Sequence, residues 1–289
     1  QRKYLDIPLA IAVDAISWGH IAKSSQETLQ SITLPSVPSL RSIINDTMLD
    51  VLYYRSPMYG QMIVRAVAKL LNAKVALYRA TFPNFAGSVS LFCHSLGSVI
   101  TYDMLQGHFL EGGGVQLDFK IDNIFALGSP MAMFVHTRGD VADPSWTSDA
   151  TSFTFPGGAR LFNIYDPTDP VAFRFEPLIN ARYAQLPPKV IASRHKRRSA
   201  ASGGGQKEEG PSRADFYGWQ RIDYVLQEGS DSGLMGHLRA ISNAHHCYWL
   251  SKDLSLFILE TVLEQRLYSI DNSEERAAAQ EAERSGMKG

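Results

Sequence analysis

Apolar runs and helical patterns alternate along the chain, which predicts a mostly parallel sheet with helices on both faces, an α/β fold. Leu9 to Trp18 reads as a buried strand, and the Ser/Thr/Pro-rich stretch Ser24 to Ser39 as a loop. In Leu40 to Tyr53 and Met58 to Tyr78, apolar residues recur three and four apart (Ile63, Val67, Leu70, Leu71), the spacing of amphipathic helices. Gly87 introduces a short β-rich run, Ser88 to Cys93. After Ser95 the pattern turns helical through Val99, Ile100, Tyr102, Met104 and Leu105. Two further strands are predicted, Lys120 to Leu127 before Gly128-Ser129-Pro130, and Ala159 to Tyr165 before Asp166-Pro167. Each stops at a turn signal, as happens where strands deliver loops to one edge of a sheet.

One stretch breaks the pattern. Arg194 to Arg213 combines a basic cluster, glycines and mixed charge, and cannot bury enough apolar surface to order itself. Patterned sequence resumes at Phe216, so the segment reads as a disordered insertion (about 194–213) inside a single domain, 1–270. Its basic cluster, Arg194 to Arg198, reads as a solvated loop rather than a contact for anionic lipid. Residues 271–289 form a charged tail without an apolar face.

Composition narrows the class. A chain of 289 residues fits one α/β enzyme, and 28 basic against 29 acidic residues leave no field that would attract nucleic acid. With two cysteines, Cys93 and Cys247, a disulfide framework is not expected, and a reducing, cytoplasmic compartment is. No run approaches ~18 apolar residues, so no transmembrane helix is predicted. Ile7 to Trp18 is interrupted by Asp14 and lacks the basic start of a signal peptide. The chain opens on Gln1, from which a longer parent chain is expected; the sequon at Asn45 is not expected to be used.

The run Phe92-Cys93-His94-Ser95-Leu96-Gly97-Ser98 carries the candidate chemistry. A serine lifted above a sheet edge between strand and helix needs small residues two before and two after it, since those side chains meet the strand and the helix. Gly97 fills the second position and Cys93 replaces the usual glycine at the first. Ser95 is thus the expected nucleophile, with the Leu96 N–H as one oxyanion donor. Cys93, at the end of an apolar strand, is expected to be a buried, inert thiol.

A serine nucleophile needs a base, and the base needs an acid to orient it. In chain order the acid should follow a late strand and the histidine should come last. Asp169, with prolines on both sides, is the expected acid, whereas Asp166 before Pro167 reads as a turn-former. Of the eight histidines, the order rule disfavours those before Asp169 and His195 falls in the insertion, which leaves His237, His245 and His246. His245 and His246 lie in a polar loop before a helix patterned by Leu254, Phe257, Ile258 and Val262, and spacing does not choose between them.

At these residues the chain resembles the DDHD-domain family of intracellular phospholipases A1. The matching stretches are Met48 to Tyr54, Ser95 to Asp103, Leu127 to Pro130, Asp169 to Arg174, Glu176 to Leu178, Arg221 to Gln227 and His245 to Asp253. The four residues naming the family fall on Asp169, Asp223, His245 and Asp253, a register that selects His245 over His246. The resemblance implies an α/β-hydrolase-like fold and hydrolysis of the sn-1 acyl ester of a membrane glycerophospholipid, with phosphatidic acid as the expected substrate. Some members hydrolyse neutral glycerides, and others act in early secretory traffic with weak or no activity. The expected partner is a membrane surface, approached peripherally from the cytoplasm through apolar residues in Met131 to Val135. No cofactor is expected. Asp223 and Asp253 could join a divalent-cation site, but structural roles are favoured, and no metal is assigned. Asp50 and Asp103 read as ordinary surface or helix-terminal residues. Family members place a second oxyanion loop upstream of the matched region, so that donor is not assigned here. The rival readings are a non-catalytic phosphoinositide-binding or trafficking scaffold and a metal-dependent hydrolase. Oligomeric state is not written in the sequence.

Overall fold

Five short strands, β1 (Ser90–His94), β2 (Asn123–Leu127), β3 (Arg160–Tyr165), β4 (Lys189–Val190) and β5 (Asp223–Val225), form one sheet in the order β1-β2-β3-β5-β4. Every pairing is parallel. The structure is a computed structural model, which describes residues 11–18, 36, 50–108, 116–139, 155–191, 221–226 and 244–265. Parallel strands need crossovers, and helices supply several of them: α1 (Asp50–Arg55) and α2 (Pro57–Thr81) precede β1, α3 (Leu96–Gln106) joins β1 to β2, and α4 (Met131–Arg138) follows β2. A short α5 (Glu176–Ile179) follows β3, and α6 spans 252–265.

Alternation along the strands sorts side chains into two cores. Ile124, Ala126 and Leu161 face a cluster shared with Val64 of α2, Val99 of α3 and Val135 of α4. Their neighbours Phe125, Leu127, Phe162 and Ile164 face the opposite cluster, closed by Leu254 and Phe257 of α6. Both faces are therefore covered, which is why β2 is buried at all five positions and reads as a continuous apolar run. Phe92, Phe125 and Phe162 sit at matched register on β1, β2 and β3 and stack at 5.1 and 4.9 Å between ring centroids.

Two expectations from sequence need correction. The strand expected over Leu9 to Trp18 is not one: residues 11–18 pair with no strand and are mostly exposed. Asp14 in this segment bonds Lys74 of α2 at 2.6 Å, so the segment lies against a helix, with only Ile16 and Trp18 turned towards the core. Asp103, expected as an ordinary surface or helix-terminal residue, lies in the last turn of α3 but is fully buried. Its carboxylate accepts the hydroxyl of Tyr54 at 2.5 Å and a two-pronged contact from Arg138 of α4, which ties α1, α3 and α4 together. The helix expected over Leu40 to Tyr53 is described only from Asp50 onward, and the insertion at 194–213 and the tail at 271–289 lie outside the described residues.

An unpaired buried carboxylate is costly, so Arg138→Met, which keeps volume but removes the charge, should destabilise the fold by about 3 kcal/mol or more. Urea denaturation reads this directly. A change below ~1 kcal/mol would mean that Tyr54 alone satisfies Asp103.

Candidate active site

Loops leaving the C-terminal ends of β1, β2 and β3 converge, and the turn carrying His245 closes over them. Ser95 follows β1 and starts α3. Its backbone is held at φ 50° and ψ −127°, and it is the one non-glycine residue with positive φ among the described residues. That strain is the mark of a side chain forced up out of a strand-to-helix turn. Its N–H still donates to the carbonyl of Leu127 at 2.9 Å, so the turn is anchored to β2. Leu96 is the first residue of an 11-residue helix, where backbone N–H groups have no acceptor within the helix.

The first small position behaves as expected. Cys93 is buried, its Sγ lies 3.2 Å from Thr101 Oγ1, and burial pushes its thiol up to about 11. Gly97 does not follow the steric reason given for it, because a Cβ there would meet nothing within 4 Å. Contact between strand and helix passes through Cys93 and Thr101 instead, with Thr101 Oγ1 donating back to the Gly97 carbonyl at 2.9 Å.

Asp169 and His245 are in contact. His245 Nδ1 lies 3.1 and 3.0 Å from the two carboxylate oxygens of Asp169, and both side chains are almost wholly buried. A carboxylate can only accept, so Nδ1 carries a proton, and whenever the ring is neutral Nε2 is the nitrogen with the lone pair. Burial works to raise the Asp169 pKa, but hydrogen bonds from His245, Tyr248 and the Val171 N–H outweigh it and leave the group below the usual carboxylate range. His246 points outward and is exposed. Asp166 closes its own turn, accepting the N–H and hydroxyl of Thr168 at 2.8 and 2.6 Å.

His94 links the two halves of the site. Its Nε2 donates to the backbone carbonyl of His245 at 2.5 Å, and the two rings lie 4.7 Å apart. Burial lowers the His94 pKa, which suits a neutral ring donating one N–H. Ser95, its chain neighbour, is thereby carried to the His245 side, although no hydrogen bond joins the Ser95 hydroxyl to His245 among the described residues. Such contacts commonly tighten only when substrate is bound. Behind the serine, Ser98 Oγ donates to the Ser95 carbonyl at 2.6 Å and accepts from Ser129 Oγ at 2.6 Å.

The strap from Asp166 to Glu176 is pinned along its length. Phe173 N–H bonds the Ser129 carbonyl at 3.0 Å, and Asn163 Nδ2 donates to the Phe173 carbonyl at 2.9 Å. Asp223, wholly buried at the start of β5, accepts from Asn163, from Arg174 and from the N–H groups of Phe175 and Glu176. Burial nonetheless raises its pKa, with those hydrogen bonds acting in the opposite direction. Its oxygens are spent on the protein's own donors. Asp253 sits in the first turn of α6, away from any cluster: among the described residues, no group of three or more His, Cys, Asp or Glu could hold a metal ion.

Sequence reasoning missed two parts of the site. Tyr248, three residues beyond His245 on the same turn, donates its hydroxyl to Asp169 Oδ2 at 2.6 Å; the i, i+3 spacing was the available signal. Gly128 has φ +55°, and a Cβ on it would lie 2.6 Å from Asp169 Oδ2, 2.8 Å from the Tyr248 ring and 3.1 Å from His245 Nδ1. The membrane contact expected of Met131 to Val135 is overturned, since Met131, Ala132, Phe134 and Val135 are buried in the core around α4 and Met133 alone of the five is exposed. Exposed apolar side chains near the site are instead Trp249, Leu250 and Phe173.

The sequence model of the DDHD domain matches residues 117–204 and 193–263, which together span about half of the chain. The chain belongs to the DDHD-domain family. This DDHD chain is 32% identical over 82% of its length to a probable mitochondrial phospholipase of Schizosaccharomyces pombe, covering 40% of that protein. It is 32% identical over 65% of its length to the intracellular phospholipase A1 of Caenorhabditis elegans, covering 28% of it. It is 25% identical over 84% of its length to the triacylglycerol hydrolase DDHD2 of Mus musculus, covering 59% of it. The DDHD chain thus spans well under two thirds of these relatives. No solved structure matches it. Among the described residues no helix is long and apolar enough to cross a membrane.

Gly128→Ala should disturb the Asp169–His245–Tyr248 contacts and impose a left-handed backbone on alanine, at a cost of about 1–2 kcal/mol before any overlap is counted. A thermal melt that matches wild type would show that the turn can relax without strain.

Proposed function

We propose that this DDHD chain carries a serine-hydrolase centre that cleaves acyl esters of membrane glycerolipids. Ser95 is the nucleophile, His245 the base that takes its proton, and Asp169 the acid that holds the His245 ring. Ser95 attacks the ester carbonyl, the oxyanion develops against the Leu96 N–H at the start of α3, and the alcohol leaves with the proton held by His245. Water, deprotonated by the same histidine, then releases the acid from Ser95. The observation that carries the reading is the buried Asp169–His245 pair, fixed in one tautomer beside the strained Ser95 turn. The relatives named phospholipase favour a phospholipid of the phosphatidic acid type, cleaved at the sn-1 ester; the relative named triacylglycerol hydrolase makes neutral glyceride the competing substrate. Asp223 and Asp253 act as structural groups, and no metal takes part.

Labelling the full-length protein with a fluorophosphonate tests this. Wild type should form an adduct, and Ser95→Ala should lose the adduct and several orders of magnitude of esterase rate. No adduct on folded wild type overturns the reading in favour of a non-catalytic lipid-binding scaffold. Loss of activity with a chelator would favour a metal-dependent hydrolase.

Substrate must be drawn from a bilayer, and the chain is read as a peripheral protein on the cytoplasmic side of intracellular membranes. Trp249 (60% exposed) and Leu250 (86%) project from the 3-10 turn Cys247–Leu250 immediately after His245 and are the residues suited to lipid contact. Replacing both with serine should lower hydrolysis of phosphatidic acid in vesicles at least about tenfold, since one large apolar side chain buried is worth ~1.5–3 kcal/mol. Turnover of a soluble short-chain ester should not change. Equal losses on both substrates would point to damage at His245 instead.

A further inference from the structure

We infer that Tyr248 is a positioning residue of the same site, a hydroxyl that fixes the Asp169 carboxylate so that His245 is held in one orientation. The inference rests on the serine-hydrolase reading above.

The direction of the hydrogen bonds around Tyr248 is not open to choice. Its oxygen accepts the backbone N–H of Asp166 at 3.0 Å, and an N–H can only donate. The single O–H is therefore free to donate to Asp169 Oδ2, 2.6 Å away, which as a carboxylate can only accept. Burial and the adjacent Asp169 charge push the phenol far up, so the O–H stays protonated wherever the enzyme is folded. On the other carboxylate oxygen, Oδ1 accepts the Val171 N–H at 2.9 Å. Between these two fixed donors His245 Nδ1 sits nearly equidistant, at 3.1 and 3.0 Å. With the Tyr248 hydroxyl gone, Oδ2 loses its fixed donor, the Val171 N–H alone orients the carboxylate, and the ring is held less firmly in one orientation. The groups facing this carboxylate and ring are His94 from the end of β1, Asp166 and Cys247, His246 beside His245, and the Gly128 backbone from the β2 turn. None of these places a hydroxyl on Asp169; among the described residues Tyr248 does.

Tyr248 is 2% exposed, so Tyr248→Phe keeps the ring that fills the core and removes the oxygen alone. With p-nitrophenyl butyrate as a soluble substrate, kcat should fall about tenfold to a hundredfold, the worth of a hydrogen bond to a charged group, with KM unchanged. In an Asp169→Asn background the same substitution should have little further effect, because the group through which it acts is already altered. An unchanged kcat, or an equal loss in both backgrounds, overturns the assignment and leaves Tyr248 a packing residue. A second readout needs no variant: the wild-type protein should show a slowly exchanging Tyr248 hydroxyl proton shifted downfield by the carboxylate, and its absence also overturns the inference. Absent fluorophosphonate labelling of wild type counts against the serine-hydrolase reading. Normal labelling with an unaffected Tyr248→Phe counts against the role of Tyr248 alone.

Discussion

A carboxylate buried between strands and helices has to be surrounded by donors, and the region around Asp169 is organised by that need. Burial on its own would push the group towards neutrality; three donors, one from its own strap and two from the turn after β5, outweigh this and lower its pKa. Each donor constrains its own segment. The Val171 N–H curls the strap back on itself, His245 brings in the segment after β5, and Tyr248 reaches across to the Asp166 N–H at the end of β3. Even the β2 turn is shaped by it, since Gly128 leaves only the space that the carboxylate, the imidazole and the phenol do not occupy.

The strap that carries Asp169 has a second acid at its far end, and the two serve opposite purposes. Asp223 is turned into the protein, where Asn163, Arg174 and two backbone N–H groups consume its oxygens. Beside it Glu176 accepts a two-pronged contact from Arg221 and the N–H groups of Ile222 and Asp223. This pair of acids and pair of arginines staples the end of the strap to β5. The buried network sets where the strap ends, and so where Asp169 can stand. Of the four residues that name the family, two touch each other, one anchors their support, and one starts α6.

The parts of the fold legible in sequence were those with sharp punctuation. β1, β2 and β3 each end at a turn signal, and each lies within the predicted run or one residue past it. β4 and β5, two and three residues long, are too short to show a period. The apolar run before Trp18 was misread because apolar content alone does not tell a strand from a segment laid on a helix; the ion pair of Asp14 with Lys74 decides it. Asp103 was misread for the complementary reason, as its partners are 49 and 35 residues away and no local pattern reveals them. The contact between Asp169 and His245 was legible through chain order and family register. Tyr248 offered one local signal, its spacing from His245, but its bond to Asp169 and the close approach at Gly128 are distances that only the closed structure defines.

The contact between His94 and the carbonyl of His245 spans 151 residues, and that between Asp169 and His245 spans 76. Contacts so distant in sequence carry a loop-closure cost that the contacts within the local helices do not. The strand and helix around Ser95 are local in sequence, whereas the histidine reaches them from a segment beyond β5. The Asp169–His245 pair therefore exists only once the segment after β5 has docked against the strap.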